Sequence, residues 1–210
     1  MNDNRNYDYS SWGFSNRKEY DIVVDWIPPG ARVIDLACGN GSMMKLLCDK
    51  KSVEIEGLDI AQTGVDFCRK HGFSARVAPI DQATSYADYR DRQFDYAVCN
   101  VTVQMVMYPE VLLAQMKRIA RCQIVSFPNF AHWSNRLDLL FCGRMPRPMI
   151  FGYDWYSTGH IHHLSVADFR SFCVAHDLRI KRERYLDRWP WLAQVRPNLF
   201  ATVAVFLCES

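Results

Sequence analysis

The sequence predicts a single α/β domain: a doubly wound sheet of about seven strands, mostly parallel, with an antiparallel strand at the C-terminus. Three observations lead there. Between residues 17 and 127, short apolar runs suited to buried parallel strands alternate with stretches of helical spacing, the pattern of right-handed β-α-β crossovers. The first of these runs passes directly into a glycine turn and a helix. The chain ends in two strand-like runs close enough in sequence to pair antiparallel.

The elements follow in order. Residues 17–27 place Tyr20, Val23, Val24 and Ile27 on one helical stripe, and Pro28-Pro29-Gly30 ends it. RVIDLA (32–37) reads as a central strand, followed by the turn and a helix over 42–50. EIEGLDI (54–60) is a second strand, and 62–71 a helix with Gly72 as its C-cap. Residues 73–80 form a third strand, FDYAVCN (94–100) a fourth, 109–119 a helix and QIVSF (123–127) a fifth strand. Proline, glycine and aromatic residues then dominate to His163, with an amphipathic piece near 135–141. Ser165 and Asp168 form a variant capping box opening a helix to 176, with Phe169, Phe172 and Cys173 inward. Strands over 179–185 and 200–207 follow, joined by the loop RWPWLAQVRPN.

At 210 residues the chain has length for one sizeable core. Residues 1–16 read as an N-terminal arm or lid, and 17–210 as the domain, with an aromatic insertion on the substrate side at about 128–163. With 49% hydrophobic and 23% charged residues the composition is that of a globular protein. A net charge of +2 argues against a nucleic-acid partner, and Arg179, Lys181, Arg182, Arg184 and Arg188 read as a solvated strand face. Eight cysteines stand singly in mostly apolar surroundings, which suits buried thiols in a reducing compartment. No stretch resembles a signal peptide or a membrane span, so the expectation is a cytoplasmic protein without membrane contact.

The chemistry concentrates where strands end. The first strand carries Asp35, the turn Gly39 and Gly41, and the second strand Asp59, eighteen residues beyond Gly41. Glycines admit a ligand close to the backbone, the helix after them offers unpaired N–H groups, and an acid at the next strand tip can accept from both ribose hydroxyls. A dinucleotide site requires G-x-G-x-x-G, whereas the order here is Asp35-x-Ala37-x-Gly39-x-Gly41. An acid beside the turn repels a pyrophosphate but holds a cationic amino acid moiety. That points to S-adenosyl-L-methionine, against the plainer reading of a tight strand-helix corner.

DLACGNG, GLDI and FDYAVCN resemble the nucleotide-binding motifs of class I S-adenosylmethionine-dependent methyltransferases, whose fold is Rossmann-like. Residues 126–146 and 153–169 resemble the MetW family more narrowly, named for its association with methionine biosynthesis. On this resemblance Asp35, Ala37, Gly39, Gly41, Asp59, Ile60, Asp81 and Asn100 hold the cofactor. The sequence departs from the family turn D-L-G-C-G-D-G at Ala37 and Asn40. The acid expected after the third strand is absent where Ala78-Pro79 stand, with Asp81 two residues on. Residues 1–16 are a further departure, and Tyr7, Tyr9, Trp12 and Phe14 there can form an aromatic lid or anchor the arm to the core.

Catalytic and substrate groups must follow the fourth and fifth strands. Asn100, Thr102 and Gln104 follow one; Asn129, His132, Trp133, Asn135 and Arg136 follow the other. A hydroxyl acceptor needs a base within hydrogen-bond reach, for which His132 and His162 are the candidates, each also readable as structural. His160-Ile161-His162 can share a face, but with no third ligand in spacing no metal is expected. Tyr153, Trp155, Tyr156, Trp189 and Trp191 can line a pocket or fill the core; Thr102, Gln104, Asn129, Trp133 and Tyr156 are the expected substrate contacts. The leading function is methyl transfer to oxygen or nitrogen of a small molecule. Two others stay open: a MetW-type partner protein of homoserine acyltransferase, and a cyclase or lyase that consumes the cofactor and releases methylthioadenosine.

Overall fold

The computed structural model describes residues 8–9, 13–147, 154–156 and 158–210. Seven strands form one sheet: β1 (Arg32–Leu36), β2 (Glu54–Asp59), β3 (Ser74–Val77), β4 (Phe94–Asn100), β5 (Ala120–Pro128), β6 (Arg179–Leu186) and β7 (Val203–Glu209). Their order is β3-β2-β1-β4-β5-β7-β6. The first five are parallel, and β7 runs antiparallel to both β5 and β6, as expected for the C-terminal strand. The order reverses between β1 and β4, so the switch point lies beside Asp35 and Asn100.

Helices α1 (Lys18–Trp26), α2 (Ser42–Lys51), α3 (Gln62–Lys70), α4 (Pro109–Ile119), α5 (Trp133–Leu137), α6 (Val166–Ala175), α7 (Pro190–Val195) and α8 (Pro197–Phe200) cover the two faces. Strand alternation assigns the faces: Val33, Val98, Ile124 and Val205 pack with α1 and α2, whereas Ile34, Ala97, Val125 and Phe206 pack with α4 and α6. Both faces are buried, which is why these strands read as continuous apolar runs. The basic strip lies on edge strand β6, where Arg179, Lys181, Arg182 and Arg184 are exposed. Charge on an edge blocks further strand pairing.

Several boundaries move. The third strand covers only Ser74–Val77, because the Pro79 ring supplies no donor for a longer ladder. The 188–198 segment folds as α7 and α8, each opened by a proline at the first turn, where its missing N–H costs nothing. The piece near 135–141 becomes α5 followed by a π-turn over Asp138–Cys142, and its apolar side is not buried: Leu137, Leu139, Leu140 and Phe141 are exposed. The Ser165–Asp168 capping box forms in full, and Gly72 closes α3 with a positive φ. All eight cysteines are free thiols, five of them buried.

Candidate functional site

The site grows from the end of β1. Ala37 takes a left-handed φ of 66°, and its N–H, together with that of Cys38, donates to Leu58 O on β2 at 2.7 and 3.0 Å. The chain then turns through Gly39 and Gly41 into α2. Gly41 has φ 73°, and a Cβ there would lie 2.8 Å from Cys68 Sγ; a Cβ on Gly64 of α3 would lie 2.6 Å from Gly39 O. Close approach of α3 to the turn therefore excludes side chains at both positions.

Two carboxylates flank this turn. Asp59, 5% exposed, accepts from Gly39 N through Oδ2 and from Ala61 N through Oδ1, both at 2.7 Å. Burial pushes its pKa up, with these backbone donors pulling against it. Each oxygen keeps lone-pair capacity for a further donor. Asp35 is 2% exposed, and its carboxylate makes no hydrogen bond among the described residues. Burial, and next the Asp59 charge, push its pKa up to about 7. Ile60, beside Asp59, is 56% exposed and offers an apolar surface next to that carboxylate. Asp81 accepts from Met107 N at 2.9 Å, tying the loop after β3 to the one after β4.

At the end of β4, Asn100 Oδ1 accepts from Ser126 Oγ at 2.6 Å, which aims the amide nitrogen at Glu19 Oε1, 3.3 Å away. Glu19 belongs to the first turn of α1 and is 7% exposed. Its spacing fits a helix face, so nothing in the sequence marked it as a site residue; a glutamate beside the inward Tyr20 was the available signal. Val101 follows with φ 51°, strained for a β-branched residue, and is held there by its N–H donating to Ser126 O and Oγ. Thr102 Oγ1 donates to Asn100 O at 3.0 Å. The Gln104 side chain, in a residue 1% exposed, donates through Nε2 to Val101 O, and the Gln104 main-chain carbonyl accepts from the N–H groups of Ile161 and His162. The β4 loop and the histidine segment are thereby brought together.

The remaining predicted residues serve the scaffold around this region. Asn129 is fully buried: its amide donates to Ala201 O at 2.9 Å and also reaches Pro197 O and Asn198 O, and its oxygen accepts from Val166 N. His132 Nδ1 caps α5 through Ser134, and Nε2 lies 3.4 Å from Asp187 Oδ2. Burial lowers its pKa despite the opposing pull of Asp187. Trp133 packs at 6.4 Å against Trp189. His162 Nε2 is buried without a hydrogen bond, in a small cavity shared with Asn129, Phe130, Asn135 and His160. Tyr156 and Trp155 are exposed, and Tyr156 Oη donates to Asp154. Among the described residues no three metal-binding side chains converge. A larger open cleft lies at the opposite end of the strands, where Arg32, Glu54, Ser74 and Phe94 begin them; ligands of doubly wound sheets bind at the carboxyl ends instead.

The N-terminal arm reaches the turn. A Cβ on Gly39 would lie 3.3 Å from Tyr9 Oη, Asn40 Nδ2 donates to Gly13 O at 2.8 Å, and Ser15 N donates to Ser42 Oγ at 2.9 Å. Phe14 packs edge-on against Phe67 at 5.3 Å. Asn40, one of the two departures in the turn, is thus a donor to the arm where an aspartate would repel a carbonyl. Tyr7, Trp12 and Tyr153 lie outside the described residues.

The model of the methionine biosynthesis protein MetW family matches residues 17–208. The chain belongs to the MetW family. A curated relative, the bifunctional methionine biosynthesis protein MetXA/MetW of Rhodopirellula baltica, is 30% identical over 176 residues, covering 80% of this chain. The matched part of this MetW-family chain spans only 28% of that relative's length. Among solved structures, a SAM dependent methyltransferase from Archaeoglobus fulgidus superposes with a TM-score of 0.67 at 13% identity, covering 91% of each chain. An S-adenosylmethionine dependent methyltransferase from Mesorhizobium loti gives 0.66 at 14% identity, covering 94% of this chain and all of the other. At such identities the likeness is one of fold. No helix among the described residues is long and apolar enough to cross a membrane.

Proposed function

We propose that the protein binds S-adenosyl-L-methionine and transfers its methyl group to oxygen or nitrogen of a small-molecule acceptor. The observation that carries this reading is the pair of buried strand-end carboxylates around the glycine turn, of which Asp59 is tied to the turn and Asp35 has no partner. An unpaired buried carboxylate is costly unless a cation meets it, and this pair of acceptors fits a ligand with ribose hydroxyls and positive charge. When bound, the cofactor supplies an electrophilic methyl group. Asp59 takes the ribose, Ile60 and Asp81 flank the base, Ala37, Gly39 and Gly41 line the turn, and Asp35 and Asn100 face the charged end. Thr102, Gln104, Trp133 and Tyr156 belong to the acceptor side; Asn129, His132 and His162 support it, and His162, whose Nε2 makes no hydrogen bond, is the candidate base for a hydroxyl acceptor.

Calorimetry with S-adenosylhomocysteine tests binding, and mass spectrometry of turnover mixtures tests the reaction. Absence of affinity at millimolar concentrations would overturn the reading, and methylthioadenosine in place of S-adenosylhomocysteine would assign a lyase or cyclase. Asp59→Ala is expected to weaken S-adenosylhomocysteine by about 1–3 kcal/mol.

A second reading, a partner protein for an acyltransferase, is favoured by the MetXA/MetW relative. Co-purification from the source cell checks it; a lone, catalytically active monomer speaks against it.

A further inference from the structure

Glu19 is a carboxylate that neither the turn nor the sheet requires. An acid in the first turn of a helix is favoured by the helix dipole and ordinarily stays in water. Here the side chain is only 9% exposed, and its compensation is thin: one long hydrogen bond from Asn100 at 3.3 Å, and Arg17 at 4.0 Å, itself 38% exposed. Oε2 accepts no hydrogen bond from the described residues. The Asn100 amide cannot turn to offer more, because Ser126 Oγ holds its oxygen at 2.6 Å.

Like charge surrounds this group. The Tyr20 hydroxyl is pushed up to about 12, by burial first, and it feels the pull of Arg17 against the repulsion of Asp35 and Glu19. Asp35 is 2% exposed, its carboxylate makes no hydrogen bond among the described residues, and the Asp59 charge acts on it in turn. Glu19 and Asp35 thus both act on Tyr20, Asp59 acts on Asp35, and among the described residues Arg17 is the guanidinium that reaches Glu19, from the margin. Such a region repels a carboxylate or phosphate and attracts an ammonium.

We propose that Glu19 is an acceptor-side binding residue for an ammonium group, and that the small-molecule acceptor is an amine taken up in its protonated form; the ammonium gives one proton to the Glu19 carboxylate, and the free amine's lone pair then takes the methyl group as the bond from that carbon to sulfur breaks, leaving S-adenosylhomocysteine. The inference rests on the methyltransferase reading. An ammonium can come from two sources, the amino acid arm of the cofactor or the acceptor, and three probes separate them. S-adenosylhomocysteine carries the arm alone, methylthioadenosine lacks it, and sinefungin adds a second amine where the transferable methyl stands.

Calorimetry on the full chain is expected to show sinefungin binding at least about tenfold tighter than S-adenosylhomocysteine, a difference of about 1.4 kcal/mol. Glu19→Gln should remove that preference while changing the affinity for S-adenosylhomocysteine less than about threefold. Equal weakening of sinefungin and S-adenosylhomocysteine, with methylthioadenosine unchanged, would place the cofactor's own arm at Glu19 and overturn the acceptor assignment. Unchanged affinities for all three would overturn any ammonium role. Should Glu19→Gln fail to fold, the wild-type protein decides alone: sinefungin binding no tighter than S-adenosylhomocysteine refutes the proposal. A wild-type protein that binds none of the three would instead remove the methyltransferase reading, and this inference with it.

Discussion

Ala37 stands where the family turn has glycine, and the backbone there is left-handed with φ 66°. A non-glycine residue in that region costs about 1–2 kcal/mol, partly offset because glycine loses more entropy on folding. Ala37→Gly is therefore expected to stabilise the protein by about 0.5–1 kcal/mol in urea unfolding. Asp35 makes a stronger statement. Its folded-state pKa, about 7, lies above the unfolded value of 3.8, so its contribution is intact below about pH 4 and is lost as pH rises through 7. Near pH 8 the buried charge opposes folding by roughly 4 kcal/mol. Asp35→Asn should consequently raise the melting temperature of the ligand-free protein at pH 8 and leave it nearly unchanged below pH 4. The same substitution should weaken a cationic ligand.

The elements that shape the acceptor side are short and are fastened by single side chains. Asn129 joins β5 to α6 and α8 through three donor contacts and one accepted bond, and it is fully buried. Asn129→Ala leaves several buried backbone groups unpaired, at about 1–3 kcal/mol each. A loss of at least 2 kcal/mol is expected in denaturant titrations, with acceptor turnover impaired more than S-adenosylhomocysteine affinity. Helix α5 has five residues and depends on the His132 cap and the Asp187 contact. His132→Ala is expected to cost about 1 kcal/mol. That loss should vanish in acid, because burial lowers the ring's pKa, so its stabilising contribution is present above the unfolded value and falls as pH drops.

Across the whole molecule, the arm, α1, three strand ends and α3 meet at one place, so a bound ligand should stiffen all of them together. At a concentration one hundred times its Kd, S-adenosylhomocysteine is expected to add about 2.7 kcal/mol and raise the melting temperature by roughly 5–10 °C. Thermal melts with and without the ligand check this, and hydrogen exchange should show new protection near Gly13, Gly39 and Glu19.

The doubly wound sheet and the acids Asp35 and Asp59 were legible in the linear pattern, whereas the strand order that sets the switch point was not. Apolar runs, helical spacing and turn glycines act over a few residues, so their consequences can be read along the chain. Asn129 and His132 were visible as polar residues after a strand, but whether they faced a ligand or the scaffold depended on α6, α8 and Asp187, more than thirty residues away. Glu19 was hidden for the same reason: only packing α1 against β4 turns an ordinary first-turn glutamate into a buried charge beside Asn100. Local propensity and periodicity determined the architecture from the residues alone, whereas burial and long-range partners, which exist only once the chain is packed, decided the protonation, orientation and charge of the site.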